Sequence, residues 1–435
     1  MNARELAACA NRLQEFLTTM LAGVGRAERR HHGSLYVQGL LLEGERKSIE
    51  PLAGRVPGAN MQALQQFVGQ SPWAWEPVRR QLAQRMAAEL RPAVAWIVDD
   101  TGFPKQGRHS VGVARQYSGT LGKVGNCQVA VTVHLSTDTE SLPLEWELYL
   151  PEAWTADAAR CRQARVPVPT RFRTKPELAL ELLDRLRAWG LERQPVLADA
   201  AYGNSTEFRH GLAQRGLQYV VGVQSTTAVW AQPTPAVAPR RPTAHAQPRP
   251  PDSRPQPLAL RELAAVLPRQ AWRTLTWRQG SQGPQRSRFS ACRVQPTHGH
   301  VHYQSERESL WLLIEWPAEL DAPSKYWLSN LPEMVSLRRL VRLAKLRWRV
   351  EQNYQQLKQE LGLDHYEGRG WQGWHHHVTL VGLAYAFLLL ERRRLKKNSG
   401  ADFAGSATQS AAGADSHVRP LPGLPAETHD IYLTE

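Results

Sequence analysis

Cysteine is scarce in this chain. Cys9, Cys127, Cys161 and Cys292 are the only four in 435 residues, and no two of them form a Cys-x-x-Cys pair. That argues against a disulfide-built scaffold and a cysteine zinc module, and it fits reduced thiols in a cytoplasmic protein. Long apolar runs are also missing. The longest uncharged apolar stretch, Val378 to Leu390, holds thirteen residues, short of the ~20 that span a bilayer. The opening segment MNARELAACANRL carries charges inside its apolar run, unlike a signal peptide. The glycines from Gly119 to Gly125 are not closed by Gly-Lys-Ser/Thr, so no nucleotide triphosphate is implied. No Gly-x-Ser-x-Gly nucleophile motif occurs either, which removes that route to acyl transfer. Finally, acids are short: 40 Asp and Glu face 54 Lys and Arg, a net charge of +14. A surplus of that size points to a polyanionic partner, with nucleic acid first among them.

With 42% apolar and 22% charged residues the chain is globular, and its length calls for several substructures. Residues 1–90 show apolar positions at helical spacing, from ARELAACANRLQEFLTTML to the stretch Met61 to Met86. Between these, Arg46 and Lys47 precede a short helix ended by Gly and Pro, as a DNA-backbone contact in a helical unit would. From residue 91 the texture changes. Val94 to Val98 is a continuous apolar run ending in Asp99-Asp100, as in a buried strand. His109 to Gln116 and Cys127 to Leu135 alternate, and Leu144 to Leu150 adds a strand. Thr174 to Trp189 reads as a helix with Pro176 in its first turn, and Val196 to Ala198 is a second short strand ending in Asp199. A helix from Ser205 to Gln214 and a strand from Tyr219 to Val223 follow. Nine prolines between 231 and 257 mark a basic connector, and Leu258 to Leu328 is strand-rich and dotted with Trp. A long helix is expected from Ser336 to about Leu361, another from Thr379 to Lys397, and then a disordered tail rich in Gly, Ala, Ser and Pro.

Acids at strand ends emerge at a sheet edge, where a site can form without breaking the core. Two such acids and a third on a nearby helix can hold two divalent cations for phosphoryl transfer. The stretch SLRRLVRLAKLRWRVEQNYQQLKQELG supplies the third. Leu343, Leu346, Val350, Tyr354, Leu357 and Leu361 form its apolar stripe. Beside that stripe Arg347, Glu351 and Lys358 share one face, a single acid framed by two cations. Of Asp99 and Asp100, neighbours on a strand, only one can point into a site.

RWRVEQNYQQLK resembles the R-x-x-x-E-x-x-x-x-x-x-K helix signature of DDE-class insertion-sequence transposases. The blocks WIVDDTGFPKQGRHSVGVARQYSGTLGKVGNCQVAV, VLADAAYGNSTEFR and ELGLDHYEGRGWQGWHHHVTLVGLAYAFL are similar to that family's conserved blocks, in the same order. The resemblance covers roughly residues 12 to 395, apart from the Pro-rich connector. It implies an α/β fold: an RNase H-like catalytic core with a β-rich insertion, preceded by a helical N-terminal DNA-binding domain. The divisions would be 1–90 for the DNA-binding helices, 91–225 for the first part of the core, 226–330 for the connector and insertion, 331–397 for the closing helices, and 398–435 for the tail. Asp199 matches the second acid and Glu351 the third; the family's first acid stands before a Thr, which favours Asp100, followed by Thr101. The three would hold two Mg²⁺ ions, with Mn²⁺ as a substitute, and Arg347 and Lys358 would hold DNA phosphates. Double-stranded DNA, a homodimer on that DNA and a nucleoid location are implied with them. One position departs: where the family often carries a Tyr seven residues before the Glu, this chain has Ala344. That Tyr supports a flipped base, so Trp327 or Trp348 becomes the candidate stacking surface.

Other signals are weaker. His298, His300 and His302 alternate on a would-be strand, a conceivable metal site whose plainer reading is an exposed strand. His375, His376 and His377 cannot share one helical face, so a DNA-contacting or surface role is expected of them. A decayed, repressor-like DNA binder would lack one of the acids, and all are present; a glycosidase would not need the Arg-rich helix.

Overall fold

Residues 2–231, 257–280, 283–297 and 309–398 are described in the structure, a computed structural model. The prolines between 231 and 257, apart from Pro257, the His298–His302 triplet and the tail beyond 398 lie outside them. The described residues fall into two units, one made of the chain up to Arg193 together with the chain from Trp348, the other of Gln194–Arg347.

The first unit opens with α1 (Ala3–Met20), α2 (Ala27–Leu41), α3 (Ile49–Ala53), α4 (Met61–Gly69) and α5 (Trp75–Glu89). The start of α1 is fixed by a capping box, Asn2 accepting from the Glu5 amide and Glu5 from the Asn2 amide. Next come the strands β1 (Ala95–Pro104), β2 (Ala114–Ser118), β3 (Lys123–Ser136) and β4 (Ser141–Leu148). All are antiparallel, and β3 is the hub. Cys127 pairs with Pro104 of β1 and with Ala114 of β2, so those two strands take opposite edges of β3. The other end of β3 pairs with β4. The expected strand at His109 to Gln116 begins five residues later. Short helices α6 (Glu152–Thr155) and α7 (Ala158–Gln163) lead to α8 (Lys175–Ala188), whose Thr174–Glu177 capping box places its first turn where Pro176 can sit.

The second unit holds β5 (Val196–Ala198), α9 (Ala200–Gly203), α10 (Thr206–Gln214), β6 (Tyr219–Val223), β7 (Ala228–Ala231), β8 (Leu258–Ala259) and α11 (Leu260–Val266). It continues with β9 (Arg273–Gly280), β10 (Gly283–Pro296), β11 (Leu310–Pro317), β12 (Lys325–Ser329) and α12 (Leu337–Leu346). Strands β5 and β6 are parallel; the ladder from β6 through β12, β11 and β10 to β7 and β8 is antiparallel. Val223, Val229, Leu260, Val294, Leu312, Ile314 and Leu328 form its core. The described architecture is thus mixed α/β with mostly antiparallel strands. One residue, Arg347, interrupts the expected long helix: α12 ends at Leu346 and α13 spans Trp348–Gln359, although the Arg347 backbone stays right-handed helical.

The last helix, α14 (Trp371–Asn398), begins eight residues before its expected start and is buried on every side along its middle. No described helix is long and apolar enough to cross a membrane. Because α14 is enclosed, His375, His376 and His377 are all buried, which corrects the expected surface or DNA-contact role. Each ring is used in packing. His376 stacks on Trp73 with centroids 3.7 Å apart, and His375 stacks on Trp75 at 4.6 Å. His377 places Nδ1 2.9 Å from the Tyr36 hydroxyl and Nε2 3.1 Å from the Leu363 carbonyl, partners that suit a neutral ring. Burial accordingly pushes His377 down to about 3 and His376 to about 4.

A buried guanidinium adds to the contacts that join the helices of residues 1–90 to the rest of the unit. Arg79 of α5 donates to Glu145 Oε1 of β4 at 2.8 Å, to the Trp146 carbonyl at 3.0 Å, to Thr379 Oγ1 of α14 at 2.7 Å and to the His375 carbonyl at 3.0 Å. Glu145 takes a second guanidinium, Arg185 of α8, at 3.1 Å. Breaking a buried pair by removing one partner leaves an uncompensated charge. Arg79→Met is therefore expected to lower stability by about 3–5 kcal/mol in denaturant unfolding; a change under about 1 kcal/mol would contradict the role given to this contact.

Candidate active site

The acid pair lies in the middle of β1, not at its end: the ladder continues past Asp99-Asp100 to Pro104, which pairs with Cys127. The expected strand end is displaced because Thr101 to Phe103 are also buried against β3. Pleating sends the two carboxylates to opposite faces. Asp99 is 9% exposed, and its Oδ1 accepts from the Asp100 amide at 2.8 Å. Its ladder partner is Thr132, whose hydroxyl bonds the Tyr354 hydroxyl of α13. Asp100 keeps 18% of its side chain exposed and meets Lys175 Nζ, at the start of α8, at 2.9 Å. Asp99 thus lies on the sheet face covered by Tyr354 of α13, and Asp100 opens toward Lys175 and solvent.

Helix α13 carries Glu351 in its first turn, exposed, where the positive end of the helix dipole favours a carboxylate. Its apolar stripe is buried as expected: Val350, Tyr354 and Leu357 all face inward. At the far end Lys358 is drawn in. Its Nζ donates to the Gly102 carbonyl at 2.8 Å and to Thr120 Oγ1 at 2.7 Å. Burial pushes its pKa down to about 8, against a smaller opposing pull from Asp364. The helix of Glu351 is therefore bonded to the strand of Asp100 two residues beyond the acid.

In the second unit, Asp199 follows β5 and caps α9, its Oδ1 accepting from the Ala201 amide at 2.9 Å. It is half-buried. Gly222 of β6 lies close beneath it: an added Cβ would come within 3.1 Å of the Ala200 nitrogen. Arg347, at the end of α12, belongs to this unit and is half-buried. Ala344 is buried in α12, and Trp327 is buried in β12, which removes it as an open stacking surface; Trp348 is half-buried.

Arg46 and Lys47 lie apart from this arrangement, in the loop between α2 and α3. Arg46 is exposed and pairs with Glu367 at 3.0 Å. Lys47 is 1% exposed, donates its ammonium to the Leu42 carbonyl, and is pushed down to about 8 by burial. Only Arg46 of the two offers its charge to a partner.

Sequence reasoning missed Lys175. The signal was available, since it is the one lysine between Lys123 and Lys325 and sits beside a capping Thr. As to a metal, the acids are hard oxygen donors of the kind Mg²⁺ takes, and Asp100 already faces a cationic group in Lys175. Among the described residues no three His, Cys, Asp or Glu side chains are gathered into a ready cage.

Residues 19–284, more than half of the chain, match the family described as DDE superfamily endonuclease. The chain is also 29% identical over 332 residues to a protein of Microchaete diplosiphon named "Probable transposase for insertion sequence element IS701", covering 74% of this chain and 73% of that one.

The burial of Lys358 has a pH signature. Between about pH 8 and 10.5 the unfolded chain holds a proton on Lys358 that the folded chain has lost, so stability rises with pH across that window. Unfolding free energies at pH 7.5 and 9.5 are expected to rise more for the wild type than for Lys358→Met. An equal change in both proteins would place the ammonium in solvent.

Proposed function

The chain belongs to the DDE superfamily endonucleases, and on that footing we propose that it is the transposase of an insertion sequence, cutting DNA at the ends of its element and joining the freed ends to target DNA. The net charge of +14 suits that substrate. The geometric observation that carries the reading is the bond from Lys358 to the Gly102 carbonyl, which couples the helix of Glu351 to the strand of Asp100.

Asp100, Asp199 and Glu351 are the proposed acids, holding two Mg²⁺ ions, for which Mn²⁺ can substitute. The chemistry supplied by such ions is activation of the attacking oxygen and neutralisation of charge on the phosphate and leaving oxygen. Asp100 is preferred to Asp99 because it stands directly before Thr101 and its carboxylate is partly open, whereas Asp99 is buried. Lys175 holds the charge of Asp100 and orients the carboxylate. Arg347 and Lys358 are the proposed phosphate contacts; Lys358 also fixes the strand beyond Asp100. Cutting and joining both proceed as in-line phosphoryl transfers, where positioning and charge neutralisation supply the rate.

Residues 91–225 and 331–397 are proposed as an RNase H-like core around a β-rich insertion at 226–330, with the tail from 398 outside it. The helices of 1–90 would grip the element end, Arg46 reaching the DNA backbone and Lys47 supporting its loop from inside. Two chains acting as a homodimer on double-stranded DNA, in the cytoplasm at the nucleoid and without a nucleotide cofactor, complete the proposal.

Strand cleavage of DNA flanking this reading frame tests it. Cutting is expected in Mg²⁺ and not in EDTA. Asp100→Asn, Asp199→Ala and Glu351→Ala are each expected to reduce it about 10³-fold or more while binding persists, since the charge-stabilising groups act as a unit. Asp99→Asn is expected to reduce it far less. Binding without cleavage in both Mg²⁺ and Mn²⁺ would overturn the assignment, and loss of activity in Asp99→Asn alone would reassign the first acid.

A further inference from the structure

The segment that leads into α8 carries charge of one sign. From Ala158 to Pro176, 19 residues, the sequence has no Asp or Glu, yet it holds Arg160, Arg162, Arg165, Arg171, Arg173 and Lys175. Like charges so placed repel one another in the free protein, and a polyanion removes that cost. Three of the six are engaged within the fold. Lys175 meets Asp100 at 2.9 Å, Arg173 pairs with Glu181, and Arg160 lies over the Trp154 ring at 3.7 Å and donates to the Arg108 carbonyl at 2.8 Å. Arg162, Arg165 and Arg171 are exposed, and among the described residues their guanidinium groups meet no hydrogen-bond or ion-pair partner. The Thr174 cap and, more weakly, the charge of Arg171 hold the Glu177 carboxyl low, but that pull is not an ion pair.

Arg165 stands where a glycine is usual. Its φ is 57°, and among the described residues no other non-glycine has a positive φ. Helix α7 ends there in a paired turn. The Val166 amide donates to the Cys161 carbonyl at 2.9 Å and the Arg165 amide to the Arg162 carbonyl at 3.0 Å, the pattern that places glycine just beyond a helix. A side chain is disfavoured at that φ, and strain of this kind collects where a side chain is needed for binding. The segment is also fixed in place. The Ala164 carbonyl accepts from the Trp371 amide at the start of α14 at 2.8 Å, and Val166 is buried. Phe172 meets the Tyr149 ring edge-on with centroids 6.4 Å apart, and Lys175 Nζ lies 5.8 Å from the centre of that ring. Arg171 is therefore one residue from a contact that reaches Asp100 through Tyr149 and Lys175.

We propose that residues 160–173 form a strap that grips the DNA backbone on the Asp100 side of the site, with Arg162, Arg165 and Arg171 each taking a phosphate. A guanidinium fork fits two phosphate oxygens at once. Such contacts read charge and not sequence, so the element end and the target duplex can both supply the phosphates. Lys175 ties the strap to the acid, and Arg160 ties its other end to the Arg108 backbone. The inference rests on the endonuclease reading above and adds a substrate surface to it.

The test uses the whole chain and two duplexes, one carrying the sequence that flanks the reading frame and one of unrelated sequence as target. Binding is followed in Ca²⁺ across a salt series, and cutting and joining in Mg²⁺. Arg165→Gly suits the left-handed turn, so its unfolding midpoint should stay at or above that of the wild type. Arg165→Gly and Arg171→Ala should nevertheless each lower the salt slope of binding by about one. Together they should weaken binding about tenfold at moderate salt, while cutting at saturating DNA stays within about threefold of the wild type. Arg193→Ala, which removes an exposed charge outside the strap, should leave the slope unchanged. A loss on either duplex or on both supports the strap and shows which DNA it holds. Wild-type binding of both duplexes by the double variant, or an equal loss in Arg193→Ala, would overturn the strap while leaving the endonuclease reading intact. A wild type that neither binds nor cuts either duplex would remove both.

Discussion

The buried guanidinium of Arg79 is the contact on which the first unit depends. It closes α5, β4 and α14 on one another with bonds to Glu145, Trp146, Thr379 and His375. Strand β4 in turn holds one end of β3, and β3 holds β1, which carries the acid pair. A charge in such a place is stable only because Glu145 and four oxygen or nitrogen partners replace its water. The arrangement gives direction as well as cohesion: a hydrophobic side chain could fill the space, but it would not specify which carbonyls of β4 and α14 must meet there.

A second constraint operates nearer the acids. Lys358 is an ammonium group taken out of water, at a cost visible in its lowered pKa. What the fold gains is a direct bond from α13 to the backbone of β1 and to the β2–β3 turn. Glu351 occupies the opposite end of the same helix, so its position is tied to that of Asp100 through about two turns of rigid helix. Lys175 approaches Asp100 from α8. Two cations from two helices thus brace one strand, one at its backbone and one at its carboxylate. Such bracing is what a site for phosphoryl transfer requires, because a misplacement of about 1 Å costs much of the rate.

Much of this was legible in the sequence where the signal is local. The apolar run before Asp99, the Thr174 cap and Pro176 of α8, and the stripe from Leu343 to Leu361 each correspond to described elements, since caps and periodicity act within a few residues. Asp199 stands at the end of its short strand, and Glu351 and Lys358 share a helix, as read. What failed depends on long-range packing. Alternation shows that Asp99 and Asp100 diverge, but only the Thr132–Tyr354 contact tells which face α13 covers. Three adjacent histidines look polar until the helix holding them is found enclosed, with carbonyls and indole rings replacing water. Lys47 follows Arg46 in a basic pair, yet the loop turns it inward. The fold-back of the β2–β3 turn over Gly102 leaves no mark in the sequence beyond a glycine, which has many other uses.

In the proposed site Asp100, Asp199 and Glu351 hold the ions that drive DNA cutting. The most direct measurement replaces Mg²⁺ with Fe²⁺ on the protein bound to its DNA, adds ascorbate and peroxide, and maps the backbone cuts made by radicals released at the ion. Cuts are expected to cluster near residues 100, 199 and 351 and to be suppressed by excess Mg²⁺. Cuts confined to another part of the chain, or cuts at these three that Mg²⁺ does not suppress, would contradict it.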